Sequence, residues 1–161
     1  MDFHRIYEDH APAVRRFAAG LTGDASLADD LTADAFVRLW AAPGEIRVAT
    51  VRAYLCTIVR NLYVSHWRKA SRAAPLDEAI ADPVDRVAAP VERRSETAAA
   101  RRALSTLSHD DREALLMRAA DLSYGEIAEA LGITVGAAKV RVHRARVRVL
   151  RARQQEEQPC K

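Results

Sequence analysis

Residues 73–94, AAPLDEAIADPVDRVAAPVERR, hold three of the chain's six prolines: Pro75, Pro83 and Pro90. Each proline removes a backbone donor and restricts the residue before it, so no helical period survives across the segment. The acids scattered between them make it net acidic. It reads as a partly extended linker. It serves either as a plain tether or as one whose acidity has a use. The 161 residues are thereby divided into two small blocks.

Both blocks read as helical. Ala, Arg, Leu and Val dominate and aromatics are few, a composition that favours helices. In the first block, Phe3, Ile6, Tyr7, Ala11, Val14, Phe17 and Ala18 recur at helical spacing, which predicts a helix over 3–21. Thr22-Gly23-Asp24 breaks it. A second helix is predicted over 26–40, with Leu27, Leu31, Ala35 and Leu39 on its buried face, and Ala42-Pro43-Gly44 ends it. A third starts after Thr50 and runs to about Ser71, with Val51, Leu55, Ile58, Val59 and Leu62 as its apolar stripe. In the second block, helices are predicted over 96–106 and 110–120, the latter capped by Ser108. The next has Ser123 and Glu126 as a capping box and Gly132 at its left-handed C-terminus. A last one, capped by Thr134, runs to Arg153. The fold expected is all-α: two small helical domains joined by a flexible linker, the C-terminal one a helix-turn-helix.

The stretch SYGEIAEALGITVGAAKVRVHRAR carries the helix-turn-helix signal. Ile127, Ala128 and Leu131 pack against Val135, Ala138 and Val142 across a glycine turn. The apolar stripe of the last helix continues through Ala145 and Val149. From Val135 to Arg153 there are seven Lys or Arg residues and no acid, although the whole chain carries only +3. Such asymmetry points to a polyanion more strongly than the total does. A helix with one buried stripe and basic residues elsewhere suits a DNA major groove. A solvated basic face on an ordinary bundle is the bland alternative.

Other classes find no support. Cys56 and Cys160 share no metal-ligand spacing with a histidine, so neither a disulfide framework nor a zinc site is read. Cys56 falls in an apolar stretch and Cys160 in a polar tail. MDFHRIYEDH is too polar for a signal peptide. No apolar run approaches the roughly 18 residues of a membrane span. No nucleophile–base pair, phosphate loop or metal cluster appears, so no enzyme, cofactor or membrane insertion is expected, and the location expected is cytoplasmic.

LSYGEIAEALGITVGAAKVRVHRARVRVL resembles region 4, the C-terminal DNA-reading domain of the extracytoplasmic-function sigma factors. ADDLTADAFVRLW followed by VRAYLCTIVRNLYVSHWRKASR resembles their N-terminal region 2 domain. The resemblance covers 3–72 and 96–153, in the family's order. It implies a region 2 domain over 1–72, a linker over 73–94, a region 4 domain over 95–153 and a tail over 154–161. The implied partners are core RNA polymerase, through its β′ clamp helices and β flap, promoter DNA and an anti-sigma factor. The free chain would be a monomer.

The resemblance also implies roles by position. Asp29, Asp30, Leu31, Asp34, Phe36 and Trp40 match the helix that grips the β′ clamp. Read without it, the three aspartates are charges favourable to a helix N-terminus, and Phe36 and Trp40 fit a core equally well. Arg60, Asn61, Tyr63, Trp67, Arg68 and Lys69 match the segment that opens the −10 element. Charge and aromatic faces suit unstacked bases, although Tyr63 and Trp67 fit the core too. Loop 41–50 matches the loop that captures a flipped base. Ser65 stands where the family often has an aspartate, which weakens a local pairing with Arg68. Lys139, Val140, His143 and Arg144 match the −35 readers, with Arg141 and Arg146 on phosphates. Lys139 suits guanine acceptors and Val140 a thymine methyl. The linker would thread toward the RNA exit channel. The rival readings are a helix-turn-helix regulator acting without polymerase, and a decoy that binds polymerase or an anti-sigma factor but initiates nothing.

Overall fold

A computed structural model describes residues 2–42, 44, 50–73 and 95–158. The chain splits into two compact units that divide within the 74–94 segment. Among the described residues there are seven α-helices and no strand. The linker, most of loop 41–50 and Cys160 lie outside the described residues, and so do the roles expected of them.

The first unit holds α1 (Phe3–Thr22), α2 (Ala25–Ala41) and α3 (Val51–Ala73), each packed on the other two. The Asp2 carboxylate caps α1 by accepting from the His4 and Arg5 amides. Gly23 ends it at φ 67°, a left-handed conformation cheap only for glycine. Asp24 then caps α2 by accepting from Ser26 and Leu27. Two helices are thus stopped and started within three residues, and the connection folds α2 back along α1. The core is Val14, Phe17, Ala18 and Leu21 from α1, Ala28, Leu31, Ala35, Phe36 and Leu39 from α2, and Val51, Leu55, Cys56, Val59 and Tyr63 from α3. Full burial of each large apolar side chain contributes about 1.5–3 kcal/mol. In α3 the buried row keeps a strict spacing of four, Val51–Leu55–Val59–Tyr63. Ile58 and Leu62, expected in that stripe, are half-buried on its margins.

The second unit holds α4 (Ser95–Ser105), α5 (His109–Ala119), α6 (Tyr124–Leu131) and α7 (Val135–Glu157). The long α7 packs on all three others. Ser108 Oγ accepts from the Asp111 amide, and Ser123 and Glu126 form the reciprocal capping box. After α6, Gly132 at φ 65° turns the chain, and the Ile133 amide donates back to the Ala128 carbonyl at 3.0 Å. Thr134 caps α7. Ile127 and Ala128 meet Ala138, Val142 and Ala145 in the core, whereas Val135, expected there, is exposed. The helix also runs four residues past the expected Arg153. Arg102 Nε on α4 donates to Glu156 Oε1 at 2.7 Å, which ties down the extra turn.

Three consecutive charged residues are buried at the start of α5: Asp111, Arg112 and Glu113. Arg112 Nε donates to the Leu104 carbonyl at 3.1 Å and its Nη2 to the Leu107 carbonyl at 3.2 Å. The guanidinium therefore adds to the Leu107 amide on the Leu104 carbonyl and reaches the Leu107 carbonyl just past α4, a favourable end for a cation.

Candidate nucleic-acid interface

The buried row of α7, Ala138–Val142–Ala145, divides its basic residues between two flanks. Lys139, His143 and Arg146 lie on one, all exposed. Among the described residues none of these three has an ion-pair partner. Lys139 Nζ stands 5.8 Å from the centre of the Tyr124 ring at the start of α6, and the Arg118 guanidinium stands 5.2 Å from it. The ring holds Lys139 by cation–π attraction and joins α6 to this surface. Val140 is exposed on the far side from the core. Small residues, Gly136 and Ala137, line the first turn of α7, so a duplex can approach the backbone there.

Arg141, Arg144 and Arg148 lie on the other flank, and all three are engaged within the unit. Arg144 donates from Nε to Asp111 Oδ2 at 2.8 Å and from Nη2 to Asp111 Oδ1 at 2.7 Å. The bond to Arg144 holds the Asp111 carboxyl below its usual range; the Ser108 hydroxyl and the charge of Arg141 add to this, and burial opposes it. Arg141 Nη2 approaches Asp110 at 3.7 Å, and Arg148 Nη1 donates to the Thr106 carbonyl at 3.3 Å. Arg144, expected among the −35 readers, is therefore bound to its own domain. Sequence reading had no means to see this, because Asp111 lies 33 residues away.

In the first unit, Asn61, Ser65 and Arg68 fall on the face of α3 opposite its buried row, and all are exposed; Lys69 is exposed beside them. Arg60 Nη1 lies 3.4 Å from Asn61 Oδ1. Trp67 is half-buried on a flank. Tyr63, expected with them on the exposed face, is a correction of place: it is only 4% exposed and its ring lies in the core. It continues the row Val51–Leu55–Val59 and is held by packing.

On α2, Asp30 and Asp34 are exposed opposite the core. Leu31 and Phe36, expected on the same partner surface, are buried, because they lie on the side of α2 that meets α1 and α3. Asp29 is engaged by Arg15 of α1, whose Nη2 donates to Oδ2 at 3.3 Å. Trp40 is 71% exposed and meets the Phe3 ring edge-on at 4.7 Å between centroids. Val37, which sequence reading missed, is 65% exposed. The signal was available: Val37 stands three residues from Asp34 and seven from Asp30, an apolar residue on an otherwise polar face. Asp30, Asp34, Val37 and Trp40 make an apolar surface with an acidic end.

Residues 6–73 match the family described as Sigma-70 region 2, and residues 97–149 match Sigma-70, region 4. The ECF RNA polymerase sigma factor EcfG of Rhodopseudomonas palustris is 35% identical over 136 residues, 83% of this chain and 75% of its own. The ECF RNA polymerase sigma factor SigL of Mycobacterium tuberculosis is 32% identical over 146 residues, 87% of this chain and 82% of its own. Among solved structures, the sigma factor RpoE from Bartonella quintana, in complex with the anti-sigma factor NepR, is similar with a TM-score of 0.72 and 29% identity over 95% of this chain and 97% of that one. Both matched regions coincide with the two helical units, and the relatives span them together: the chain belongs to the extracytoplasmic-function RNA polymerase sigma factors.

Proposed function

We propose that the two units divide the work of promoter recognition. The chain acts as an RNA polymerase sigma factor of the extracytoplasmic-function type, directing transcription initiation as a polymerase subunit. The chemistry of RNA synthesis belongs to the polymerase; sigma factors are initiation factors. The α2 surface of Asp30, Asp34, Val37 and Trp40 binds the β′ clamp helices. The outward face of α3, with Asn61, Arg68 and Lys69, and with Arg60 and Trp67 at its margin, meets the opened −10 strand. Lys139, Val140 and His143 read the −35 element from α7, with Arg146 and Arg141 on phosphates. The unit of residues 95–158 docks on the β flap. Polymerase holds both DNA-reading units near one promoter, so two weak contacts add as an intramolecular pair. An anti-sigma factor is a further partner, as for the Bartonella relative. The free chain is a monomer and works in the cytoplasm, where polymerase acts; no described helix is long and apolar enough to cross a membrane.

The observation that carries this reading is the exposed Lys139–His143–Arg146 flank on a capped helix-turn-helix, in one chain with the acidic and apolar α2 surface. Co-migration of the full chain with core bacterial RNA polymerase on a native gel tests it. A stable complex is expected. Tight sequence-specific binding to promoter duplex by the free chain, with no polymerase complex, would overturn the reading in favour of an independent regulator.

A further inference from the structure

Arg141, Arg144 and Arg148 are tied to α4 and α5 with unequal strength, and the inequality decides which of them DNA can recruit. Arg141 approaches Asp110 at 3.7 Å, beyond a hydrogen bond, and the Asp110 side chain is 63% exposed. Exchange of that contact for a phosphate leaves Asp110 in water, at small cost. Arg144 differs on both counts. It makes two short, parallel bonds to Asp111, whose side chain is 4% exposed. That fork occupies one of the donor pairs a guanidinium can offer a guanine edge. To read a base with that same edge, Arg144 has to leave a buried carboxylate without its cation, which is strongly unfavourable.

We infer that Asp111 is a specificity-determining residue: it commits Arg144 to holding α7 against α5, so that the −35 element is read from the Lys139–His143 flank. Arg144 is then a positioning residue. Its charge is neutralised locally, and its length fixes the register of α7 on α5. The inference deepens the proposed function and rests on it for the DNA readout.

The test uses the full chain with core polymerase on a promoter library randomised across the −35 element. The variants are Arg144→Gln, Arg144→Lys, Asp111→Asn and Lys139→Ala. Urea midpoints are measured for the free chains, with the Asp111→Asn/Arg144→Gln double variant included. Both Arg144 variants should keep the wild-type base preference while lowering output evenly. Lys139→Ala should relax preference at one position by roughly tenfold. Asp111→Asn releases a cation, so the salt dependence of DNA binding should steepen by about one phosphate contact. The double variant should lose less midpoint than the two single losses added, because both singles break the same bond. A base-specific loss in Arg144→Gln, or midpoint losses that simply add, would overturn the inference alone. A wild-type holoenzyme that selects no −35 sequence would overturn the sigma reading and the inference with it.

Discussion

Phe36 and Trp40 stand four residues apart on α2 and meet opposite fates. Phe36 is buried, with the rings of Phe3 and Tyr7 against it at 6.2 and 4.8 Å. Trp40 presents most of its surface to solvent. Phe36→Ala should therefore cost about 3–5 kcal/mol of stability in urea unfolding. Trp40→Ala should cost no more than about 1.5 kcal/mol, the scale of its edge contact with Phe3. It should nonetheless weaken core polymerase binding by tenfold or more in a competition assay, as a central aromatic of an interface does. Sequence alone left both residues open between core and surface, because spacing places them on adjoining flanks and only the packing of α1 separates them. Histidines divide similarly. The bond from His109 to the buried Glu113 carboxylate raises the His109 pKa above 6.5, against burial, while burial and then the charge of Arg52 lower that of His10. Proton NMR should show His109 titrating above 6.5 and His10 below it. By linkage, the His109 contribution to stability is full below pH 6.5 and fades as pH rises through its raised value. His109→Gln should flatten that alkaline loss. The neutral preference of His10 works the other way and costs stability as pH falls below 6.5.

At the scale of elements, helix boundaries were legible wherever a side chain or a glycine marks them. Ser108, Ser123, Thr134 and Gly132 stand in the structure where cap chemistry placed them. Gly132 offers a clean test. A Cβ added there meets nothing within 4 Å, so the strain of φ 65° is the whole cost of a substitution. Gly132→Ala should lower unfolding stability by about 1–2 kcal/mol, read from urea midpoints; an unchanged midpoint would contradict the turn as described. Boundaries set by distant partners were not legible. The last turn of α7 depends on Arg102, 54 residues away in sequence. Likewise His109-Asp110-Asp111-Arg112-Glu113 looks like a solvated N-terminal charge run. Three of its five residues are buried because α6 and α7 pack on α5, and local periodicity carries no trace of that. The same blindness to long-range pairing hid the bond between Arg144 and Asp111.

For the whole molecule, two helical units separated by a proline-rich segment were already plain from the sequence, because proline chemistry and helical period are local. Family membership was legible from two motifs in order, and relatives spanning both regions bear it out. Burial sorts the motif residues between core and surface. Leu31, Phe36 and Tyr63 leave the surface, Val37 joins it, and Arg144 is engaged. The measurement that tests the account most directly is multi-round transcription in vitro, with the full chain, core bacterial RNA polymerase and fragmented genomic DNA, followed by mapping of RNA 5′ ends. Discrete starts sharing −35 and −10 motifs are the predicted result. Stable polymerase binding without discrete starts would contradict it and leave a chain that occupies polymerase but initiates nothing.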